Sequence, residues 1–226
     1  MESNKQASFL YSLKAVIWSF FGLRRKSDSI PTPAPDAALT PTPSPEQQHV
    51  IAQIEQGQGT FLLFGATGSG KTEVYMQAAQ AALTQDAAAQ VLVLVPEINL
   101  TPQLQARFAE RFGAAAIACL HSGLTPAQRL KAWLAAHTGQ ARIVLGTRVA
   151  VLASIPHLAL IVVDEEHDPS YKQQEGARYS ARDLAVYRGQ QEGVRVILGS
   201  ATPSLETCNS TGSLKNFAFE TSTRTW

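Results

Sequence analysis

Between Thr60 and Thr202 the apolar positions fall into two alternating registers. Continuous runs, "TFLLF", "QVLVLVP", "AAIACL", "RIVLGT", "LALIVVD" and "VRVILGSAT", predict short strands buried on both faces. The stretches between them carry helical spacing. One helix follows the first strand through Met76 and Ala82, and another starts near Thr101-Pro102. "TPAQRLKAWLAAH" opens on a capping box, Thr125 with Gln128, with Pro126 at its first position. "SARDLAVYRGQQ" is a helix with Ser180 as its cap, and "PEQQHVIAQIEQ" is one opened by Pro45. Buried strands alternating with helices predict an α/β fold, a parallel sheet with helices on both faces. Ligands on such sheets bind at the carboxyl ends of the strands. There is no internal repeat.

The first 45 residues break this pattern. Residues 1–26 hold the apolar run "FLYSLKAVIWSFFGL", in which Phe9, Leu13, Val16, Ile17 and Phe20 recur at helical spacing ahead of Arg24-Arg25-Lys26. The run is shorter than the roughly 20 residues that a bilayer requires, and Lys14 interrupts it, so no transmembrane segment is expected. No small-residue cleavage site follows, which argues against a signal peptide. A helix packed on protein is the simpler reading; an amphipathic helix on a membrane surface or a partner is the other. Residues 27–45, "SDSIPTPAPDAALTPTPSP", have the proline spacing of an extended linker. That leaves 46–207 as the folded lobe and 208–226 as a tail expected to be disordered or aberrant.

Composition narrows the choice of chemistry. The chain has 226 residues, 45% of them apolar, which suffices for a core. A formal net charge of +1 gives no global attraction to nucleic acid or anionic lipid, so any such contact must be local. Cys119 and Cys208 are the only cysteines, too few for a disulfide framework or a zinc site, and they suit a reducing cytoplasm.

The polar motifs sit where the strands end. Gly65-Ala66-Thr67-Gly68-Ser69-Gly70-Lys71-Thr72 fits the phosphate loop G-x-x-x-x-G-K-[ST] between a strand and a helix. Its glycines let backbone N–H groups turn toward phosphate oxygens, and the helix behind points its positive end at the anion. Lys71 can reach the β- and γ-phosphates of ATP, and Thr72 can offer a hydroxyl to Mg²⁺. A second strand runs straight into Asp164-Glu165-Glu166-His167. Phosphoryl transfer needs a carboxylate for the metal, placed at Asp164, and a group to orient the attacking water, placed at Glu165. Two carboxylates at a buried strand end are tolerable beside a cation, so loop and acidic end explain each other. His167 is a candidate for coupling, as are the hydroxyls of Ser200 and Thr202 in "GSAT", which otherwise reads as a simple Ser/Thr turn.

Beyond His167 come Tyr171, Lys172, Arg178 and Tyr179, aromatics and cations suited to stacking on bases and holding phosphates. A solvated polar loop is the plainer alternative. Thr147 and Arg148 of "GTR" also lie at a strand end, able to grip a nucleic-acid backbone. Gln47, upstream of the phosphate loop, offers adenine both a donor and an acceptor.

Taken in order, "GATGSGKTEVY", "LVPEINLTPQ", "LHSG", "GTR", "VVDEEHDPSYKQQEGARYSARDLAVYR" and "ILGSATPSLE" resemble the first motor lobe of the primosomal replication-restart DNA helicases, the PriA type of superfamily 2. The resemblance spans Glu46 to Thr207, and the stretch from Tyr171 to Arg188 makes it specific. It implies a RecA-like P-loop NTPase lobe of a 3′-to-5′ DNA helicase that is cytoplasmic and uses ATP and Mg²⁺. It also implies action on single-stranded or forked DNA with primosome proteins and single-strand-binding protein. By position it assigns Gln47 to adenine, Lys71 and Thr72 to Mg·ATP, and Asp164 and Glu165 to the Walker B pair. Tyr171, Lys172, Arg178 and Tyr179 would belong to the DNA-sensing loop. Ala177, Ser180 and Val149 depart mildly from the family pattern, and "CNSTGSLKNFAFETSTRTW" leaves it altogether. Family members add an N-terminal DNA-binding domain, a second motor lobe with an arginine finger, and a zinc module. The expectation is therefore a fragment with no zinc site, which binds nucleotide weakly and hydrolyses it slowly. Two other readings stay open: a non-catalytic DNA- or partner-binding remnant, and an RNA helicase of the DEAH type.

Overall fold

A computed structural model of the chain describes residues 43–203, and 214–219 by their backbone. The expected N-terminal helix lies outside the described residues, as does nearly all of the proline linker. The lobe begins earlier than the composition shift suggests. Helix α1 (Pro45–Gln56) is capped by Ser44, whose Oγ accepts the Gln47 N–H while Gln47 Oε1 accepts the Ser44 N–H. Ser44 and Pro45 thus belong to the lobe, because that reciprocal pair satisfies two amides that the first turn leaves open.

The strands and helices alternate as the periodicity predicts. β1 (Thr60–Gly65), β2 (Gln90–Leu94), β3 (Ile117–Leu120), β4 (Ile143–Gly146), β5 (Leu158–Val163) and β8 (Arg195–Ser200) are parallel, in the order β3-β4-β2-β5-β8-β1. Leu94 and Val163 end β2 and β5 fully buried, as expected where both faces are covered. On one face α1, α2 (Lys71–Gln85) and α3 (Pro102–Phe112) pack Val50, Ile54, Val74, Ala79, Phe108 and Phe112 against the sheet. On the other, α4 (Pro126–His137) and α5 (Ala181–Glu192) contribute Ala136, Ala181 and Ala185. The Thr125–Gln128 capping box and the Ser180 cap both form.

One expectation fails in the tail. Leu214–Phe219 is not disordered but forms β9, parallel to β1 and at the sheet's edge. The pairing satisfies backbone groups along β1 that would otherwise stand open. The loop after Tyr171 carries a short antiparallel pair, β6 (Lys172–Gln173) with β7 (Tyr179–Ser180). Among the described residues no helix is long and apolar enough to cross a membrane.

β8 lies between β1 and β5 in the sheet, so the ends of three adjacent strands deliver the phosphate loop, "GSAT" and the acidic run to one place.

Candidate nucleotide site at the strand ends

The phosphate loop turns on two left-handed glycines, Gly68 at φ 81° and Gly70 at φ 89°. That backbone region is readily open to glycine alone, and it aims the start of α2 outward. Gly70 caps α2, and a Cβ there would fall on Gln47 Nε2, so the Gln47 amide sits directly over the loop. Its oxygen already accepts one N–H from Ser44, which leaves one lone pair and the amide nitrogen for a base. Lys71 is 6% exposed; its ammonium donates to Gly65 O at 2.7 Å and Ala66 O at 3.3 Å. Ser69 Oγ is buried without a hydrogen-bond partner among the described residues.

The acidic run reaches the same loop. Lys71 Nζ stands 3.8 Å from Glu165 Oε1. Glu165 is the one non-glycine residue with positive φ among those described, at 46°, a conformation that reverses the chain just beyond β5. The turn is held by Glu166 N–H donating to Gly199 O at 2.9 Å and Asp168 N–H donating to Glu165 O at 2.8 Å. Glu166 is buried and paired with Arg182 Nε of α5 at 3.2 Å.

Asp164 is tied at every level. Its N–H donates to Leu94 O, its carbonyl accepts the Tyr171 hydroxyl at 2.6 Å, and Oδ1 accepts both Tyr75 OH at 3.0 Å and Glu165 N–H at 3.1 Å. Burial pushes its carboxyl above the usual carboxylate range, an effect that the Tyr75 hydrogen bond and the Lys71 charge oppose but do not cancel. A half-buried carboxylate near a buried ammonium and a serine hydroxyl without a partner among the described residues suits a triphosphate with a hard divalent cation. Among the described residues no group of three or more His, Cys, Asp or Glu side chains is placed to hold a metal. A Mg²⁺ site asks for less, since this ion keeps waters and takes phosphate oxygens as ligands.

Coupling residues meet here in part. Ser200 Oγ lies 2.8 Å from His167 Nδ1, and the same imidazole nitrogen is 3.7 Å from Glu165 Oε2. Thr202 joins through its main chain, donating N–H to Ser200 Oγ at 3.0 Å; the residue itself is exposed. Ser200 thus meets His167 through its hydroxyl, whereas Thr202 reaches Ser200 through its main chain.

Two of the expected nucleic-acid contacts are corrected. Tyr171 is 1% exposed, in the core under β5 and α5, and cannot stack on a base from there. The turn 169–171, capped by Asp168, directs the ring inward, where apolar burial and the Asp164 carbonyl satisfy both its parts. Thr147 is likewise buried, its hydroxyl without a partner among the described residues. Arg178 and Lys172 are exposed and Tyr179 is half-buried. Arg148 is engaged with the protein: Nε donates to Gln173 Oε1 at 2.8 Å, one terminal nitrogen to Ser170 O at 3.2 Å, and the same nitrogen lies 3.4 Å from Glu97 Oε1. Glu97 in turn accepts the Ser122 hydroxyl at 3.1 Å. Sequence reasoning missed this tie between four strand-end segments, and it missed Tyr75. A polar-tipped residue one turn beyond Lys71, on a helix face otherwise apolar, was the available signal.

The chain is similar to known proteins in sequence and in fold. A family model described as DEAD/DEAH box helicase matches residues 44–211. The chain is 51% identical over 156 residues to "Replication restart protein PriA" of Haemophilus influenzae, covering 69% of this chain and 21% of that protein. It is 47% identical over 146 residues to the protein of the same name from Bacillus subtilis, covering 65% and 18%. The chain thus spans about a fifth of the length of these relatives. Among solved structures, the helicase domain of Pyrococcus furiosus Hef superposes with a TM-score of 0.58 at 25% identity, over 76% of this chain and 37% of that one.

Proposed function

The chain belongs to the DEAD/DEAH box helicase family, and from that premise we propose that its lobe is the first, ATP-binding motor lobe of a PriA-type replication-restart DNA helicase. The observation that carries the reading is the 3.8 Å approach of Lys71 to Glu165, which joins phosphate loop and acidic strand end in one pocket.

In this reading the backbone of Gly65, Thr67, Gly68, Ser69 and Gly70 receives the phosphates, and Gln47 reads the adenine from above Gly70. Lys71 exchanges its carbonyl acceptors for phosphate oxygens. Thr72 and Asp164 would hold Mg²⁺, which would supply positive charge to the phosphates. Glu165, turned back by its left-handed backbone, orients the attacking water. His167 and Ser200 connect that carboxylate to the strand beside it. DNA then runs over the strand ends, with Arg178, Lys172 and Tyr179 as contacts, and with Arg148 once it leaves Glu97. Such a lobe works in the cytoplasm at single-stranded or forked DNA, alongside primosome proteins and single-strand-binding protein. The likeness to PriA supports DNA over RNA, while the exposed cations after β5 suit the phosphates of either.

The test is titration of a fluorescent ATP analogue with Mg²⁺ against the wild-type chain and Lys71→Ala. A loss of affinity of tenfold or so, worth about 1.4 kcal/mol, is expected in the variant. Equal affinity, or no binding to either protein, would show that Lys71 does not receive nucleotide and would overturn the reading.

A further inference from the structure

We propose that Tyr75 is a positioning residue for the divalent ion: its phenol fixes Asp164 Oδ1 so that Oδ2 is presented to the nucleotide. The proposal rests on the nucleotide reading above and adds a residue to it.

Tyr75 lies on α2, four residues beyond Lys71 and on the same side of the helix. It is 2% exposed, so the face it occupies is turned to the sheet. The strand next to β1 is β8, and β5, which ends at Asp164, lies one strand farther. The phenol must therefore pass over β8 to reach the carboxylate. It does so at Gly199, where a Cβ would overlap the Tyr75 hydroxyl. A missing side chain in one strand thus opens the path from the phosphate-loop helix to the acidic strand end.

The hydrogen bonding at Asp164 shows what this contact achieves. The main chain of Asp164 is held on both sides, by Leu94 O and by the Tyr171 hydroxyl. Among the described residues the carboxylate is held at one oxygen only: Oδ1 accepts from Tyr75 and from the Glu165 amide. Two donors on one oxygen fix the carboxylate plane and leave the other oxygen for a cation. Packing alone would not require a tyrosine. Phenylalanine fills the same volume beside Gly199 and would let the carboxylate rotate about a single remaining donor. A buried phenol needs an acceptor, and here that acceptor is the group on which the metal depends.

The experiment measures the Mg²⁺ requirement for binding a fluorescent ATP analogue, by titrating Mg²⁺ at fixed nucleotide, with a parallel titration in EDTA. Tyr75→Phe is compared with wild type, and Gly199→Ala serves as a variant that keeps the phenol but displaces it. Both variants are expected to need about tenfold more Mg²⁺, the loss of one hydrogen bond to a charged group, with metal-free affinity unchanged. Mn²⁺ resonance spectra of the ternary complex should broaden in both, because the ligand oxygen is no longer fixed. The proposal is overturned if Tyr75→Phe keeps the wild-type Mg²⁺ requirement, or if it weakens nucleotide equally with and without Mg²⁺. Absence of Mg²⁺-dependent binding in the wild type would instead bring down the nucleotide reading, and this proposal with it.

Discussion

Lys71 and Glu165, drawn from the helix after β1 and the turn after β5, face each other at 3.8 Å with side chains 6% and 23% exposed. A pair this sheltered is screened little by salt, yet its Coulombic gain is offset by desolvation. A double-mutant cycle with Lys71→Met and Glu165→Gln, read by urea unfolding, should give a coupling of about 0.5–2 kcal/mol that persists at high salt. Strict additivity would mean the two groups do not sense each other.

Asp164 should make the protein less stable at neutral pH than it need be. Burial raises the carboxyl's proton affinity in the folded state above that in the unfolded chain. The stability linked to this group is therefore full below the unfolded carboxylate range, near pH 4, and is lost as pH rises through the elevated folded value. Asp164→Asn keeps an acceptor for Tyr75 and Glu165 N–H but carries no charge. Its Tm in EDTA should exceed that of wild type at pH 7.5, and the gap should close as pH falls toward 4. A lower Tm in the variant, or a gap independent of pH, would contradict this.

Gly199 has no room for a larger residue. A Cβ would overlap the Tyr75 hydroxyl, so Gly199→Ala should cost about 1–3 kcal/mol of unfolding free energy. Combining it with Tyr75→Leu should return part of that cost, because the overlap disappears with the phenol.

Tyr171 and Arg178 stand in one loop and should behave oppositely. Tyr171 is core, and Tyr171→Ala should cost about 3–5 kcal/mol in stability, with any loss of DNA binding following from unfolding. Arg178 is exposed, so Arg178→Ala should stay within about 0.5 kcal/mol of wild type in stability while weakening single-stranded DNA. It should also flatten the salt dependence by about one phosphate contact.

Those two residues mark how far the sequence could be read. Periodicity sufficed for the six parallel strands, because strands buried on both faces leave continuous apolar runs. Motif chemistry sufficed to expect Lys71 and the acidic turn from Asp164 near each other at the strand ends, where the structure has them. The direction of a side chain after an irregular turn follows neither rule. Tyr171 looked available for stacking until the turn 169–171 sent it inward. Tyr75 was not singled out at all, since its partner lies 89 residues away and the passage to it depends on a glycine in a third strand. Strand β9 was illegible for a related reason: the apolar residues of "LKNFAF" are neither continuous nor strictly alternating, and its pairing is set by the open edge of β1.

The most direct measurement of the central claim is cleavage by iron(II) substituted for Mg²⁺ in the complex with ATP, where hydroxyl radicals cut the backbone beside the ion. Cuts at both Thr72 and Asp164, appearing together and only with ATP, are the predicted result. Cutting at one of the two alone, or at neither while nucleotide is bound, would show that the phosphate loop and the acidic strand end do not share an ion.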